Sequence, residues 1–126
     1  MTIFGADVPF ASLCGIEEVE AKPQGVRLRM VPGPDHLNNL GIVHGGAICT
    51  LLDVAMGSAA RLKAELPVTT IDMQVAFLST GRGPLFAEGR VLRIGRSIIF
   101  GEADVRNEEG QLVARATGVF KPARSR

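Results

Sequence analysis

The sequence contains no tryptophan and no tyrosine, and its formal net charge is only +1. Nucleic-acid-binding proteins usually combine a strongly basic surface with aromatic side chains that stack on bases, so this class is not expected. The sequence also lacks the ~18–20 uninterrupted apolar residues that a membrane-spanning helix requires. With 126 residues, 46% of them hydrophobic, it predicts one globular domain with neither nucleic acid nor membrane as partner.

Cysteine and histidine are scarce as well. Cys14 and Cys49 lie in apolar stretches, which is typical of free thiols in a reduced intracellular protein. The N-terminal segment carries Asp7 and lacks the basic region of a signal peptide, so a cytoplasmic location is expected. The two cysteines with His36 and His44 are too few, at these spacings, for a metal site.

Three common motifs are also missing. The sequence has no G-x-S-x-G turn, no P-loop and no G-x-G-x-x-G loop. These absences argue against a serine hydrolase with a nucleophile elbow, a P-loop nucleotide-binding protein and a dinucleotide-binding oxidoreductase.

Hydrophobic periodicity predicts two short strands, one long helix and four further strands. A loop at 32–41, rich in proline and glycine, precedes the helix, which runs roughly from Gly46 to Leu66 and ends before Pro67. Short turns separate the later strands, so the sheet should be antiparallel. The predicted strands span residues 15–21, 25–31, 68–78, 84–94, 97–106 and 111–120.

The predicted helix has almost no polar face before its last turns, and such a helix is usually buried. One buried helix and one antiparallel sheet predict a single α+β domain over residues 1–126, in which the sheet curves around the helix. The tail 121–126 is expected to be loose. Small residues at 57–60 allow a strand or a second helix to approach closely. Because the sheet keeps exposed edges, an oligomer is expected.

Gly45 and Gly46 stand where the helix begins. The first four N–H groups of a helix lack partners within it and carry about half a positive charge. Glycine leaves these donors open, so they could bind a phosphate or polarise a carbonyl. A pair of glycines at a helix start is explained about as often by a tight structural turn.

Asp53 is the only charged residue between His44 and Arg61 in this apolar run. It is either a structural acid, paired with Arg61 or capping a strand, or an acid that acts in catalysis. It lies seven residues after Gly46, on the same helix face and about 10 Å along the axis. A catalytic acid must lie within about 3 Å of the group on which it acts. One carbonyl can therefore use both features only if they come from two antiparallel helices across a dimer interface.

The stretch 36–60, HLNNLGIVHGGAICTLLDVAMGSAA, resembles the signature of hotdog-fold acyl-CoA thioesterases of the phenylacetate-degradation (PaaI-like) type. The likeness continues over residues 70–97 and covers nearly the whole chain in order. It implies a six-stranded antiparallel sheet around one long helix. The family pattern is an asparagine, then G-x-x-H-G-G, then an acid. Here these positions are Asn38, Gly41, His44, Gly45, Gly46 and Asp53.

The resemblance implies a role for each matching residue. The N–H of Gly45 would be the main donor to the thioester carbonyl, with Gly46 beside it in the substrate site. Asp53 of the opposing subunit would act as general base on water, or as nucleophile through an anhydride. Asn38 and His44 would hold the entrance loop and orient the substrate. Ser79 falls where the family often has a hydroxyl that positions the water or the acid.

The same resemblance implies coenzyme A as part of the substrate rather than as a separate cofactor, and a homodimer that pairs further into a dimer of dimers. Cationic groups should then bind the CoA phosphates. The best candidates are Arg82 with Gly83, and Arg96 with Ser97, since both arginines lie in tight turns whose amides could also donate. Arg124 is a weaker candidate.

Two other functions remain open from the residues. One is a hotdog hydratase or dehydratase of acyl thioesters, for which His44 is the only candidate base. The other is a protein that binds acyl-CoA without hydrolysing it and does not need Asp53. The acyl group, whether aryl or a short or medium aliphatic chain, is not specified by the sequence.

Overall fold

The computed structural model describes residues 2–123, in which one antiparallel sheet of six strands wraps a single long helix. The predicted α+β architecture is confirmed. The strands follow one another across the sheet in the order β3-β4-β6-β7-β8-β5. Their bounds are β3 Ile16–Lys22, β4 Gly25–Met30, β5 Val68–Phe77, β6 Leu85–Ile94, β7 Ile99–Asn107 and β8 Leu112–Pro122.

The long helix, α2, spans Gly45–Ala64 and is largely buried, as its apolar sequence predicts. It ends two residues earlier than expected because Glu65 adopts a left-handed conformation and donates its N–H to the carbonyl of Arg61 at 2.8 Å. No helix within residues 2–123 is long and apolar enough to cross a membrane. The buried residues of α2 are Ala47, Ile48, Leu51, Leu52, Ala55, Met56, Ser58, Ala59 and Ala60.

The sheet lies very close to α2 at Gly89 of β6. A Cβ atom there would lie 2.4 Å from the carbonyl oxygen of Ala55, so only glycine lets the two backbones approach this far. Large apolar side chains of the strands fill the remaining space around the helix, among them Leu28 of β4, Leu85 of β6 and Phe120 of β8. The glycine contact and these side chains explain how one sheet can enclose one helix.

An N-terminal arm was not predicted from the sequence. It consists of a hairpin of β1 (Thr2–Ile3) and β2 (Ala6–Asp7), followed by the short helix α1 (Pro9–Leu13). The Arg61 guanidinium donates to the carbonyls of Ile3 and Phe4 at 3.0 and 2.8 Å, and the Glu18 carboxylate accepts the N–H of Phe4 at 2.8 Å. Arg61 therefore holds this arm, and the alternative that it pairs with Asp53 is wrong.

The other end of the chain also differs from the prediction. Lys121 and Pro122 belong to β8 and pair with Thr69 and Val68 of β5, so the loose tail does not start at 121. Residues 124–126, which include the remainder of that tail and the weaker candidate Arg124, lie outside the described residues.

The two edges of the sheet differ in character. Edge strand β3 presents charged side chains of Glu17, Glu18, Glu20 and Lys22, which discourage pairing with another strand. Edge strand β5 and the residue that follows it instead present large apolar side chains, which are Ile71, Phe77 and Leu78 at 57, 53 and 55% exposure. The β5 edge is therefore the edge that is suited to pair with another strand.

Candidate active site

The loop that leads into α2 is fixed by Asn38. Its side-chain carbonyl accepts the N–H groups of Leu40 and Ile42 at 2.9 and 3.3 Å, and its own N–H donates to the Ile42 carbonyl at 2.8 Å. Gly41 supplies the left-handed backbone that this tight turn requires, with φ of +75°. The contacts of Asn38 are those of a residue that holds the entrance loop.

His44 caps the start of α2. Its Nδ1 atom accepts the N–H of Gly46 at 2.7 Å, and its carbonyl accepts the N–H groups of Ala47 and Ile48. Gly46, expected in the substrate site, thus has its donor occupied by His44. For Gly45 N–H, the described part of the chain provides no acceptor, so this donor at the helix N-terminus is left for a ligand.

Phe77 forms one wall of this helix entrance. A Cβ atom on Gly45 would lie 3.4 Å from Cζ of the Phe77 ring. Phe77 is the last residue of β5, so the N-terminal end of α2 lies beside the C-terminal end of that strand.

Asp53 has a hydroxyl partner. The Thr70 hydroxyl donates to the Asp53 carboxylate at 2.6 Å, from the start of β5 where a bulge interrupts the pairing with β8. Asp53 is therefore half-buried and hydrogen-bonded. It lies beside the free outer face of α2, where the sheet does not cover the helix.

Thr70 was not identified from the sequence. A signal for it exists, because β5 runs back along α2 after the turn at Pro67. The six residues from Ala64 to Thr70 span up to about 20 Å when extended, whereas the eleven helix residues from Asp53 to Ala64 span about 16 Å. These lengths bring the start of β5 back toward Asp53.

The role expected of Ser79 stays a prediction, because the contacts described for this residue are those within its own chain. Its hydroxyl donates to the Leu112 carbonyl at 2.8 Å, and its N–H donates to the Val113 carbonyl at 3.1 Å. Ser79 therefore fastens the end of β5 to β8. It lies nine residues, or about 30 Å of extended strand, from Thr70, so within one chain the hydroxyl on the acid belongs to Thr70.

Gly45 and Asp53 are separated along α2 in the way the sequence predicts. Eight residues of helix span about 12 Å, so a single carbonyl cannot touch both groups of one chain. The helix thus carries a free donor at its start and a hydroxyl-bonded carboxylate in its middle.

The four residues expected at the CoA phosphates lie at opposite ends of β6. Arg82 and Gly83 precede this ten-residue strand, whereas Arg96 and Ser97 form the turn that follows it, and all four are exposed. The strand is about 33 Å long. One chain cannot bring both arginines to one phosphate group.

Two depressions lie along α2, one at Asp53 and one at the N-terminal end of the helix. One, of about 260 Å³, is lined by Asp53, Thr70 and apolar residues of α2, β5 and the N-terminal hairpin; we refer to it as the Asp53 cavity. The other, of about 430 Å³, lies beside the start of α2, with His44 and Thr50 on one side and Phe10 and Leu13 of α1 on the other.

Cys49 lies one turn before Asp53 on α2. Burial raises the pKa of the Cys49 thiol, and the negative charge of Asp53 raises it further. A raised pKa leaves less thiolate near neutral pH, so Cys49 is a poor nucleophile.

This pKa shift has a testable consequence. In a Cys14→Ala background, we expect iodoacetamide to alkylate Cys49 more slowly than free cysteine at pH 8. Adding Asp53→Asn should speed the reaction several-fold, because one of the two causes of the raised pKa is removed. Mass spectrometry over a pH series measures both rates. An equal rate with and without Asp53 would show that its charge does not act on the thiol.

The sequence of the chain is similar to that of known proteins. The family model of the thioesterase superfamily matches residues 40–114, more than half of the chain. The medium/long-chain acyl-CoA thioesterase YigI of Escherichia coli (strain K12) is 29% identical over 136 residues, which cover 94% of this chain and 88% of YigI.

Solved structures are similar as well. The crystal structure of the BH2602 protein from Bacillus halodurans with CoA is 34% identical, with a TM-score of 0.83, and covers 95% of this chain and 82% of that chain. The PaaI protein of E. coli has a TM-score of 0.87 over 94% of this chain and 87% of its own; its 21% identity shows the fold alone. The chain therefore belongs to the thioesterase superfamily, a family of thiolester hydrolases, and has its hotdog fold.

Proposed function

We propose that the chain hydrolyses acyl-CoA thioesters as a homodimer, with Gly45 of one subunit and Asp53 of the other serving one site. The observation that carries the proposal is the arrangement on α2. A free N–H and a hydroxyl-bonded carboxylate are both in place for thioester chemistry, but they are about 12 Å apart. Acyl-CoA as substrate is supported by YigI, named an acyl-CoA thioesterase, and by the CoA-containing relative from B. halodurans.

The exposed edge of β5 supports this dimer. Two copies of an edge strand can pair in antiparallel fashion around a two-fold axis, which joins the sheets and buries the exposed apolar side chains of both. Pairing about a point between Met73 and Gln74, one residue beyond the centre of β5, places Thr70 of one chain opposite Phe77 of the other. Asp53 is bonded to Thr70, and Gly45 packs on Phe77. The two-fold axis therefore brings each Asp53 toward the Gly45 of the other subunit.

In this site, the Gly45 N–H donates to the thioester carbonyl oxygen and, at the positive end of α2, stabilises the oxyanion that forms on attack. In the general-base route, Asp53 takes a proton from water while the water oxygen bonds to the carbonyl carbon. The C–S bond then breaks, and the CoA thiolate leaves and takes up a proton. In the nucleophilic route, Asp53 attacks the carbonyl carbon first, and the C–S bond breaks with release of the CoA thiolate. Water then hydrolyses the resulting anhydride, which releases the carboxylic acid and restores Asp53. Thr70 orients the carboxylate in both routes.

Binding of the CoA phosphates by Arg82 and Arg96 stays a proposal. The two arginines lie at opposite ends of β6, so each site would take them from different subunits, with the Gly83 and Ser97 amides nearby. A dimer of dimers supplies such neighbours. The reaction needs only water, these side chains and CoA as part of the substrate. The cytoplasmic location stays a prediction.

Replacing Thr70 tests the orientation of Asp53. Thr70→Val keeps the shape of the side chain but removes the hydroxyl, and a hydrogen bond to a charged group contributes about 1.5–3 kcal/mol. We expect kcat to fall by about 10–100-fold with little change in KM, and Thr70→Ser to recover most of the loss. A valine variant with the kcat of the wild type would remove Thr70 from the mechanism.

A substrate panel tests the function itself. Wild-type protein is mixed with acetyl-, octanoyl-, phenylacetyl- and crotonyl-CoA, and free thiol is measured with Ellman's reagent. Thiol release from at least one saturated acyl-CoA is the expected result. Loss of enoyl absorbance without thiol release would instead identify a hydratase. Binding of acyl-CoA without either change would identify a binding protein.

A further inference from the structure

The Asp53 cavity bears on which acyl groups the enzyme accepts, an inference that rests on the proposed function. This cavity of about 260 Å³ is lined by both Asp53 and Thr70. The reacting carbonyl must lie next to Asp53. The acyl group attached to that carbonyl therefore lies next to the Asp53 cavity, which is the nearest space for it within this subunit.

We propose that the Asp53 cavity binds the acyl group and that the N-terminal hairpin closes its far end. Its walls are mainly apolar, with Val54, Val68 and Phe120 on three sides. The pantetheine arm of CoA carries two amides, which would lose hydrogen bonds to water in such a place. The one guanidinium in the lining, that of Arg61, already donates to the hairpin. An apolar acyl chain or aryl ring fits these walls, whereas pantetheine does not.

The hairpin is fastened in place from two sides. Arg61 of α2 binds the carbonyls of Ile3 and Phe4, and Glu18 of β3 binds the N–H of Phe4. These contacts hold the Ile3 side chain, only 2% exposed, at the cavity wall, with Ala6 and Val8 beside it. A closed end limits the length of the acyl group. The volume is below the ~300–1,000 Å³ of pockets for drug-sized ligands, which favours short and medium chains or a single aryl ring.

Gly57 is the position on α2 at which a substitution can fill the cavity. A Cβ atom added to Gly57 meets only the Phe120 ring, at 3.5 Å, which is an ordinary contact. The Cβ atom of a larger side chain at this position therefore meets no backbone atom, and Gly57 itself lines the cavity. Alanine or leucine at 57 also favours the helix over glycine.

The test compares acyl lengths in three variants of the full chain. For each, the ratio of kcat/KM for octanoyl-CoA to that for acetyl-CoA is measured by thiol release. Gly57→Leu fills the cavity and should lower the ratio at least tenfold, because each methylene denied burial costs about fourfold. Gly57→Ala is the matched smaller step and should lower it about two- to fourfold. Ile3→Ala opens the far wall and should raise the ratio at least threefold.

Size-exclusion chromatography and thermal melting identify the variants that keep the wild-type fold and assembly. If Gly57→Leu or Ile3→Ala fails this check, the remaining variants decide whether the Asp53 cavity binds the acyl group. Gly57→Ala is expected to pass, because its Cβ atom introduces no clash. A folded leucine or Ile3 variant with the wild-type ratio overturns the assignment of the cavity, while thiol release by the wild type leaves the proposed function standing. A wild type that releases thiol from no acyl-CoA overturns both.

Discussion

Replacing Asp53 with asparagine is expected to lower kcat by ~10²–10⁴ while the fold is retained. Asparagine keeps an oxygen that can accept the Thr70 hydroxyl, at 2.6 Å in the structure, but it can neither take a proton from water nor attack the thioester efficiently. Steady-state kinetics with the best acyl-CoA of the panel measures the loss. A midpoint of thermal unfolding close to that of the wild type shows that it does not arise from misfolding.

A matched control separates charge near the site from chemistry at the site. Asp7 of β2 is an exposed acid in the N-terminal hairpin and does not line the Asp53 cavity. Asp7→Asn should change kcat less than threefold. If Asp53→Asn turns over at the wild-type rate, Asp53 has no part in the reaction.

Replacing Gly45 with alanine is expected to lower kcat by ~10²–10³, because the methyl group obstructs the approach of the carbonyl to the free N–H. The same change should leave stability equal or slightly higher. The new Cβ atom would lie 3.4 Å from the Phe77 ring, a tolerable contact, and alanine favours helix over glycine by up to about 1 kcal/mol. Loss of activity without loss of stability would assign the effect to the site.

Gly33→Ala is the control for adding a methyl group near the entrance loop. A Cβ atom at Gly33 would have its nearest contact at 3.9 Å, with Nδ1 of His36, and the backbone there has φ of −105°, which any residue adopts. This variant should keep kcat within about twofold. Wild-type turnover by Gly45→Ala would mean that the carbonyl does not use this N–H.

The central part of the fold can be predicted from the sequence because its signals extend over many residues. The nearly continuous apolar run of α2 and the alternation in the six strands each repeat several times, so the helix and the strand order along the chain follow from periodicity. The end of α2 is less well defined, since it depends on one residue, Glu65, taking a left-handed conformation. A left-handed conformation at one residue produces no repeating pattern in the sequence from which it could be predicted.

Other features depend on contacts between distant parts of the chain. The hairpin at 2–7 has two-residue strands without periodicity, and Arg61 and Glu18 hold it from elsewhere in the sequence. The Thr70–Asp53 contact likewise depends on how far β5 runs back along α2. Within its own chain the Ser79 hydroxyl bonds to the Leu112 carbonyl, and its expected role at the acid stays a prediction. The spacing of the motif identifies Gly45 and Asp53 on α2 from the sequence. The partner of Asp53, Thr70, depends on how distant parts of the chain pack together.

Subunit complementation tests the shared site most directly. Asp53→Asn and Gly45→Ala proteins are each nearly inactive, and they are mixed in equal amounts, unfolded and refolded together. Half of the dimers are then mixed, and each mixed dimer has one site with an intact Asp53 and an intact Gly45 from different chains. The expected activity is about one quarter of wild type per chain. Activity no higher than that of the two variants measured separately, in a sample shown to contain mixed dimers, would mean that each site lies within a single chain.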